Sequence, residues 1–292
     1  MLNRKRGNLN IFRSAFILGG NSEIAQEICL HLVQKGTKKF HFVSRDSKKN
    51  EIFLKRLKDQ FDLEITSEEF DLLKGDLKAK PSIGFYDLYI IAAGYLGNSI
   101  LAQNDLGEAL KISRVNYYSL IPWINSITTE DRISKPGYLW ILSSVAGDLG
   151  RPSNHHYGAA KAGIAGFSRS LSMEMAKYKC TVNTISPGAA TRLTIDLMKA
   201  AGRDVDPDDW SQGPQQIAPI IAWVCSDEAS EITNQIFHVS SGTVGIMQQP
   251  AVIKSFKSDE LWSMEQLNQV MPELIEAKKA HDKEVEEKGK PS

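Results

Sequence analysis

Short apolar runs alternate with longer segments of helically spaced apolar residues over most of the chain. The run at 14–18 is typical of a buried parallel strand, and further strands are predicted at 40–43, 87–93, 138–143, 181–185 and 235–239. A more polar segment, 65–71, is also predicted as a strand. Between them, apolar residues recur at intervals of three and four. This spacing predicts helices over 23–35, 48–60, 105–128, 157–178 and 215–226, with a kink in the 105–128 helix at Pro122.

Alternating strands and helices of these lengths are typical of a parallel sheet that is covered by helices on both faces. We therefore expect an α/β fold, a doubly wound parallel sheet, formed by one domain over residues 14–245. Ligands of such sheets bind beyond the carboxyl ends of the strands. The residues that directly follow each strand are therefore the first candidates for function.

Residues 246–292 differ in character and are interpreted as a C-terminal extension. Apolar side chains recur there at helical spacing, at Leu261, Met264, Leu267, Met271 and Leu274. Pro272 interrupts the spacing, and the end of the chain is rich in Glu and Lys. We expect an amphipathic helix docked on the domain and then a frayed, solvated tail; a partner-binding tail is the alternative.

Composition argues against several classes of protein. The 292 residues carry 35 basic and 35 acidic side chains, and this balance argues against non-specific nucleic-acid binding. No apolar window is long enough for a membrane span, and the first residues lack the apolar core of a secretory signal. Cys29, Cys180 and Cys225 lie far apart, so we expect free thiols in a reducing, cytoplasmic compartment and no metal site.

The turn after the first predicted strand contains two consecutive glycines and then begins a helix. Glycines let the backbone approach a pyrophosphate, and the helix start supplies free N–H groups and a positive dipole. Gly19, Asn21, Ser22 and Ile24 are therefore candidate cofactor-binding residues. A simple turn without ligand is the alternative, which the position after the first strand of an alternating pattern disfavours.

Three further strand ends complete a candidate dinucleotide site. Ser44 ends the second strand and Arg45 follows it, which favours the 2′-phosphate of NADP over the free ribose of NAD; NAD remains the alternative. Asp71 ends the third strand, where its carboxylate can accept a hydrogen bond from an adenine amino group. Ala93 and Gly94 follow the fourth strand, and their small size allows an adenosine to pack closely.

Four side chains form the candidate catalytic group. Ser144 follows the fifth strand, and Tyr157 and Lys161 are four residues apart on one face of a helix. A nearby ammonium group favours tyrosinate, so we expect Lys161 to lower the pKa of Tyr157 towards that of a working general acid/base. The Ser144 hydroxyl can orient a carbonyl or alkoxide oxygen, and Asn116 can hold a water that links Lys161 to solvent.

Over residues 14–245 the chain resembles the short-chain dehydrogenases/reductases, a family with a Rossmann-type fold. The resemblance rests on Ser144, Tyr157 and Lys161 at the spacing Ser-(12 residues)-Tyr-(3 residues)-Lys, on Asn116 upstream, and on Pro187-Gly188 after the sixth strand. The first half is similar to the reductase of decaprenylphosphoryl-2-keto-ribose. The second half is similar to reductases of hydroxyacyl-CoA metabolism.

The resemblance implies a role for each matched residue. Tyr157 would exchange a proton with the substrate oxygen, which Ser144 would stabilise, and Lys161 would bind the nicotinamide ribose. Pro187 and Gly188, together with Thr191, would hold the nicotinamide with its C4 facing the substrate carbon. A homodimer or homotetramer is also implied, through the 105–128 and 157–178 helices.

The cofactor loop departs from the pattern of the family, which usually reads TGxxxGxG. Leu18 replaces the threonine, Glu23 and Ala25 replace the second and third glycines, and Gly19 is kept. A carboxylate beside a pyrophosphate is unfavourable unless Glu23 points away. A catalytically silent dinucleotide-binding sensor or scaffold is therefore the alternative to an enzyme.

The substrate implied by the resemblance is a small molecule with a secondary alcohol or a ketone, either a keto-sugar or a 3-ketoacyl thioester. The segment 191–213 lies where these folds place a substrate lid, and Met198 and Trp210 are candidates for an apolar cover. A surface loop that never contacts substrate is the alternative for this segment.

Overall fold

The computed structural model of the chain describes residues 13–78, 83–97, 105–129, 133–200, 202–206, 208–224, 226 and 229–288. Contacts within the chain divide it into two compact units, residues 1–247 and residues 248–292. The first unit contains the sheet and all the candidate site residues. Cys225 lies outside the described residues, whereas Cys29 and Cys180 are buried free thiols.

An eight-stranded sheet organises the first unit, in the order β3-β2-β1-β4-β5-β6-β7-β8. Its strands are β1 Ser14–Leu18, β2 Lys39–Ser44, β3 Glu64–Glu69, β4 Tyr86–Ile91, β5 Ile133–Leu142, β6 Cys180–Gly188, β7 Ile236–Ser240 and β8 Thr243–Ile246. The first seven strands pair in parallel, and β8 is antiparallel to β7. The predicted doubly wound parallel sheet is confirmed, but β8 was not predicted, because its mostly exposed residues lack a buried run.

The helices connect the strands in the predicted alternation. In this unit they are α1 Glu23–Gln34, α2 Ser47–Gln60, α3 Leu106–Asn116, α4 Ile121–Thr129, α5 Val145–Asp148, α6 His155–Met175, α7 Ile195–Ala200 and α8 Ala218–Val224. Short 3-10 turns occupy 118–120, 176–178 and 214–216. Because the strands run in parallel, their carboxyl ends meet at one edge of the sheet, where the candidate site residues lie.

Two apolar cores cover the two faces of the sheet. Trp140 and Phe237 belong to the core that includes α1 and α8, and their ring centroids are 5.8 Å apart. Phe16 and Trp123 belong to the opposite core, again with centroids 5.8 Å apart, together with residues of α4 and α6. Each large side chain that is fully buried contributes about 1.5–3 kcal/mol. These cores therefore hold the strand ends, and with them the site, in fixed positions.

The single helix predicted over 105–128 is wrong, because the chain forms two helices there. The break lies at Tyr117, whose backbone angles (φ −137°, ψ −71°) are not helical. Pro122 lies in the first turn of α4 rather than at a kink. A proline costs little at a helix start, because the N–H that it lacks has no intrahelical partner at that position.

The second unit contains one helix, α9 Met264–Lys288. It continues through Pro272 and ends at Lys288, within the segment expected to be a solvated tail. Ion pairs three and four residues apart support its charged end; Lys279 lies 3.7 Å from Glu276, and Lys278 pairs with Asp282. Among the described residues, no helix is long and apolar enough to span a membrane.

Candidate active site

A large cavity opens at the carboxyl edge of the sheet, between the loops that follow β1, β4, β5 and β6. We call it the central cavity; its volume is about 1210 Å³, including its open mouth. A second cavity of about 1170 Å³, the β2-side cavity, continues from it past the end of β2. The two share Asn21, Ser22, Arg45 and the 92–94 loop, so together they form one long trough.

The loop after β1 brings its backbone close to β4. Gly19 has φ +91°, and a Cβ atom there would lie 2.5 Å from the backbone nitrogen of Ala93, so only glycine fits without displacing the chain. Ser22 caps α1 by accepting a 3.2 Å hydrogen bond from the Ala25 N–H. Asn21, Ser22 and Ile24 line the central cavity, whereas Gly19 lines the β2-side cavity.

Glu23 lines the central cavity, but its carboxylate is neutralised by a residue far along the chain. Oε2 accepts a 2.7 Å hydrogen bond from the Arg192 N–H, and Oε1 lies 3.4 Å from the Arg192 Nε. The same guanidinium donates to the Asn21 carbonyl at 3.1 Å. The unfavourable charge expected at this loop is therefore paired. Sequence reasoning missed Arg192, since 169 residues separate the partners.

The candidate adenosine-side residues meet in the β2-side cavity, which Ser44, Arg45, Asp71, Ala93 and Gly94 all line. Ser44 is buried, whereas Arg45 is exposed at the mouth. The Asp71 Oδ1 accepts a 2.9 Å hydrogen bond from the Leu73 N–H, so this carboxylate is partly engaged within its own turn.

Two residues that the sequence analysis did not single out also line the β2-side cavity. The Tyr95 hydroxyl donates a 2.5 Å hydrogen bond to Glu108, and the Lys111 ammonium lies 3.4 Å from the same carboxylate. Lys111 thus brings an ion pair, and not an unpaired charge, to the wall that Arg45 also lines.

Ser144, Tyr157 and Lys161 line the central cavity together. Ser144 caps α5, and its Oγ accepts a 3.3 Å hydrogen bond from the Ala146 N–H. α5 and α6 pack backbone to backbone, because a Cβ atom on Gly147 would lie 2.6 Å from the nitrogen of Ala162. This close contact sets the separation of the Ser144 strand end from the helix that carries Tyr157 and Lys161.

Burial controls the charges of the catalytic pair. Lys161 is 2% exposed, and its Nζ donates a 2.9 Å hydrogen bond to the Leu142 carbonyl. Burial lowers the pKa of Lys161 to about 8, against an opposing effect of the Asp148 carboxylate. Burial raises the pKa of Tyr157 above its usual range, and a hydrogen bond from Ser144 partly offsets that shift. The expected lowering of the Tyr157 pKa by Lys161 is therefore wrong for this structure, in which Nζ lies 5.8 Å from the ring centroid.

Asn116 is buried at the end of α3, next to the β4 loop. Its Nδ2 donates to the carbonyls of Tyr95 at 2.6 Å and Ile112 at 2.9 Å, and its Oδ1 accepts a 3.1 Å bond from the Tyr95 N–H. A Cβ atom on Gly94 would lie 3.4 Å from this Oδ1 and 3.8 Å from the Lys161 Nζ. Asn116 thus fixes the loop that separates it from Lys161.

The end of β6 forms the opposite wall. Pro187 and Thr191 line the central cavity, and Gly188 lines a smaller neighbouring cavity. The Ser240 hydroxyl donates to the Gly188 carbonyl at 3.2 Å, and the Thr191 N–H donates to the Thr194 hydroxyl at 3.0 Å. These bonds tie the β6 end to β7 and to the turn that precedes α7.

The smaller cavity, which we call the distal cavity, has a volume of about 490 Å³ and is lined by both Ser144 and Tyr157. Met198, one of the two candidates for an apolar cover, lies buried in its wall. Trp210 is 66% exposed and packs near Gly242 instead, so it does not line the cavity. Sequence reasoning also missed two arginines in this wall, Arg151 and Arg203.

Comparison with known proteins gives both sequence and fold relatives. A family model described as enoyl-(acyl carrier protein) reductase matches residues 22–244. The 3-oxoacyl-(acyl-carrier-protein) reductase of Staphylococcus aureus strain Mu50 is 26% identical over 246 residues, covering 80% of this chain and 99% of that protein.

Two solved structures share the fold. A short chain dehydrogenase from Mycobacterium avium is 20% identical and superposes with a TM-score of 0.75, covering 91% of this chain and 95% of its own. An actinorhodin polyketide ketoreductase with NADPH is 19% identical, with a TM-score of 0.65 and coverages of 79% and 96%.

Proposed function

The chain belongs to the short-chain dehydrogenase/reductase family and is an NAD(P)-dependent oxidoreductase acting on CH–OH groups, and on that premise we propose that it is an NADP-preferring reductase of ketones. One observation carries the proposal: Ser144, Tyr157 and Lys161 line the same cavity as the N-terminal end of α1. The Tyr157 hydroxyl, the candidate proton donor, therefore lies in the same cavity as the loop that would bind a dinucleotide.

The trough suits a dinucleotide in its chemistry and its shape. Residues at the start of α1, where free N–H groups favour a phosphate, line the central cavity, and Gly19 keeps the loop close to β4. Lys161 and Thr191 line the end beside Tyr157, whereas Ser44 and Asp71 line the far end. We assign the nicotinamide to the first end and the adenosine to the second. The nicotinamide supplies or accepts the hydride.

In the reduction that we propose, the Tyr157 hydroxyl donates its proton to the substrate oxygen, and the Ser144 hydroxyl hydrogen-bonds the same oxygen. The raised pKa keeps Tyr157 protonated at neutral pH, which is the form that a donor requires. The Lys161 ammonium, held by the Leu142 carbonyl, lies in the same cavity and would donate a hydrogen bond to a ribose hydroxyl. Asn116 positions the β4 loop beside them.

The preference for NADP rests on Arg45. It follows the end of β2 at the mouth of the β2-side cavity, and Ser44 stands where an acidic residue would bind a free ribose. Lys111 lines the same cavity, but its ammonium is paired with Glu108, so Arg45 carries the assignment. NAD as the physiological cofactor is the alternative.

For the substrate, we propose a 3-oxoacyl thioester or a keto-sugar. The name of the Staphylococcus aureus relative supports the first, and the resemblance of the first half of the chain supports the second. We further propose a cytoplasmic homodimer or homotetramer. A silent dinucleotide-binding sensor is the second candidate function, and the departures from glycine at Glu23 and Ala25 are what favours it.

The direct test measures NADPH oxidation with a panel of ketones that includes an acetoacetyl thioester and a keto-sugar. Tyr157→Phe keeps the ring but removes the proton donor, and it should lower kcat at least a hundredfold. The variant should still bind NADPH, since the cradle of α1 is untouched. Full activity in Tyr157→Phe would refute its role, and tight NADPH binding without turnover of any ketone would favour the sensor.

A further inference from the structure

Two arginines line the distal cavity together with the candidate catalytic hydroxyls. Arg151 and Arg203 belong to the lining that also includes Ser144 and Tyr157. The other lining residues are uncharged. Both arginines are exposed to solvent, where an anionic ligand can pair with them.

The two arginines reach this cavity from separate parts of the chain. Arg151 lies in the loop between α5 and α6, ahead of Tyr157. Arg203 follows α7, and its N–H donates a 3.1 Å hydrogen bond to the Met198 carbonyl, which holds it beside the apolar wall. Within the described part of the chain, neither side chain is paired with a carboxylate. Arg192, in contrast, already pairs with Glu23.

We propose that the substrate carries an anionic group, a carboxylate or a phosphate, which Arg151 and Arg203 bind while its carbonyl lies against Ser144 and Tyr157. This inference rests on the proposed ketone reduction and specifies its substrate class. A guanidinium donates two parallel hydrogen bonds to either anion, which fixes orientation as well as affinity.

Matched pairs of substrates test this proposal. Acetoacetate is compared with methyl acetoacetate for a carboxylate, and dihydroxyacetone phosphate with dihydroxyacetone for a phosphate. Acetoacetyl-CoA adds phosphates that are remote from the carbonyl. For at least one pair, kcat/KM for the anionic member should exceed that of the neutral one about tenfold or more, and the preferred pair identifies the anion.

Variants then assign the preference to the two arginines. Arg151→Gln and Arg203→Gln should each lower the anionic-to-neutral ratio about tenfold, mainly through a higher KM for the anion. Arg56→Gln, an exposed position on α2 that lines none of the cavities described above, is the charge-matched control and should keep the wild-type ratio. Raised ionic strength should weaken the preference, because both arginines are exposed.

A binding measurement separates this inference from the proposed function. Inorganic phosphate should stabilise the NADP-bound wild-type protein against heat more than it stabilises Arg151→Gln. If the neutral ketones are reduced as well as the anionic ones while Tyr157→Phe is inactive, the anion site is wrong and the reductase stands. If phosphate protects the wild type selectively but no ketone is reduced, the anion site stands and the reductase fails.

Discussion

The catalytic end of the trough is buried, whereas its cofactor-loop end depends on exposed charges. Tyr157 and Lys161 are 9% and 2% exposed, and backbone packing of α5 on α6 holds them in place. The side chains of Glu23 and Arg192 are 31% and 63% exposed, and an ion pair joins them. Burial makes a charge at the catalytic end unfavourable. Solvent screens the charges at the cofactor-loop end, so a change of charge there alters the free energy little.

The catalytic end of the trough keeps the family pattern and the cofactor-loop end departs from it, and their different burial explains why. A substitution at the buried end leaves a cavity, a clash or an unpaired polar atom, so few residue types fit there. At the exposed end, Glu23 replaces a glycine and Arg192 balances it across the mouth. The replacement of a glycine by Glu23 in the loop after β1 is thus accompanied by an ion-pair partner, Arg192, in the loop after β6.

The largest effect is expected from removing the buried charge with Lys161→Met. The kcat should fall at least a hundredfold, because the ammonium that would hold the cofactor ribose beside Tyr157 is lost. Stability should move in the opposite direction. The pKa of about 8 lies below the ordinary value of 10.5, so the charged amine opposes folding below pH 8, by about 3 kcal/mol, and this cost disappears as the pH rises towards 10.5.

Urea unfolding at pH 7 and pH 10 measures this trade between activity and stability. At pH 7, Lys161→Met should be more stable than the wild type by about 2 kcal/mol, after about 1 kcal/mol for the lost bond to Leu142. The advantage should shrink at pH 10. Lys58→Met, at an exposed position on α2, serves as the control. If Lys161→Met were less stable than the wild type by the same amount at both pH values, burial of the Lys161 ammonium would not destabilise the folded protein.

A smaller effect is expected at the exposed end from Arg45→Gln. The KM for NADPH should rise about tenfold, because a charge-assisted contact to the 2′-phosphate is lost, while the KM for NADH should change less than twofold. Steady-state kinetics with both cofactors and a single ketone measure the ratio. Equal losses for the two cofactors would remove the assignment of the phosphate to Arg45.

The smallest effect is expected from the ion pair across the mouth. Arg192→Gln leaves the Glu23 carboxylate unopposed beside the pyrophosphate site, so the Kd for NADPH should rise about threefold. The double variant Glu23→Gln, Arg192→Gln should recover most of that loss, and salt should reduce the effect. Titration of the four proteins with NADPH gives the coupling. If the losses of NADPH affinity in the two single variants simply add in the double variant, the ion pair does not affect cofactor binding.

The buried parts of the molecule were the most predictable from sequence. Six strands coincide with short apolar runs, whereas β3, which was also predicted, is polar and mostly exposed. The four-residue spacing places Tyr157 and Lys161 on one face of α6, with Ser144 at the end of β5. The break at Tyr117 was missed because apolar spacing continues across it into α4. Arg192, Arg151 and Arg203 were missed because single exposed arginines leave no periodic signal, and only folding brings them to the cavity walls.

The contact between α5 and α6 has a consequence for how this protein can change. At Gly147 and Gly158 the main chain of α5 contacts the main chain of α6. The distance between the segments that carry Ser144 and Tyr157 is therefore set by backbone atoms, which every residue type has. Side chains lining the distal cavity lie outside that contact. Substitutions in the cavity wall can therefore change which ketone fits, one residue at a time, without changing the distance between Ser144 and Tyr157 on which proton transfer depends.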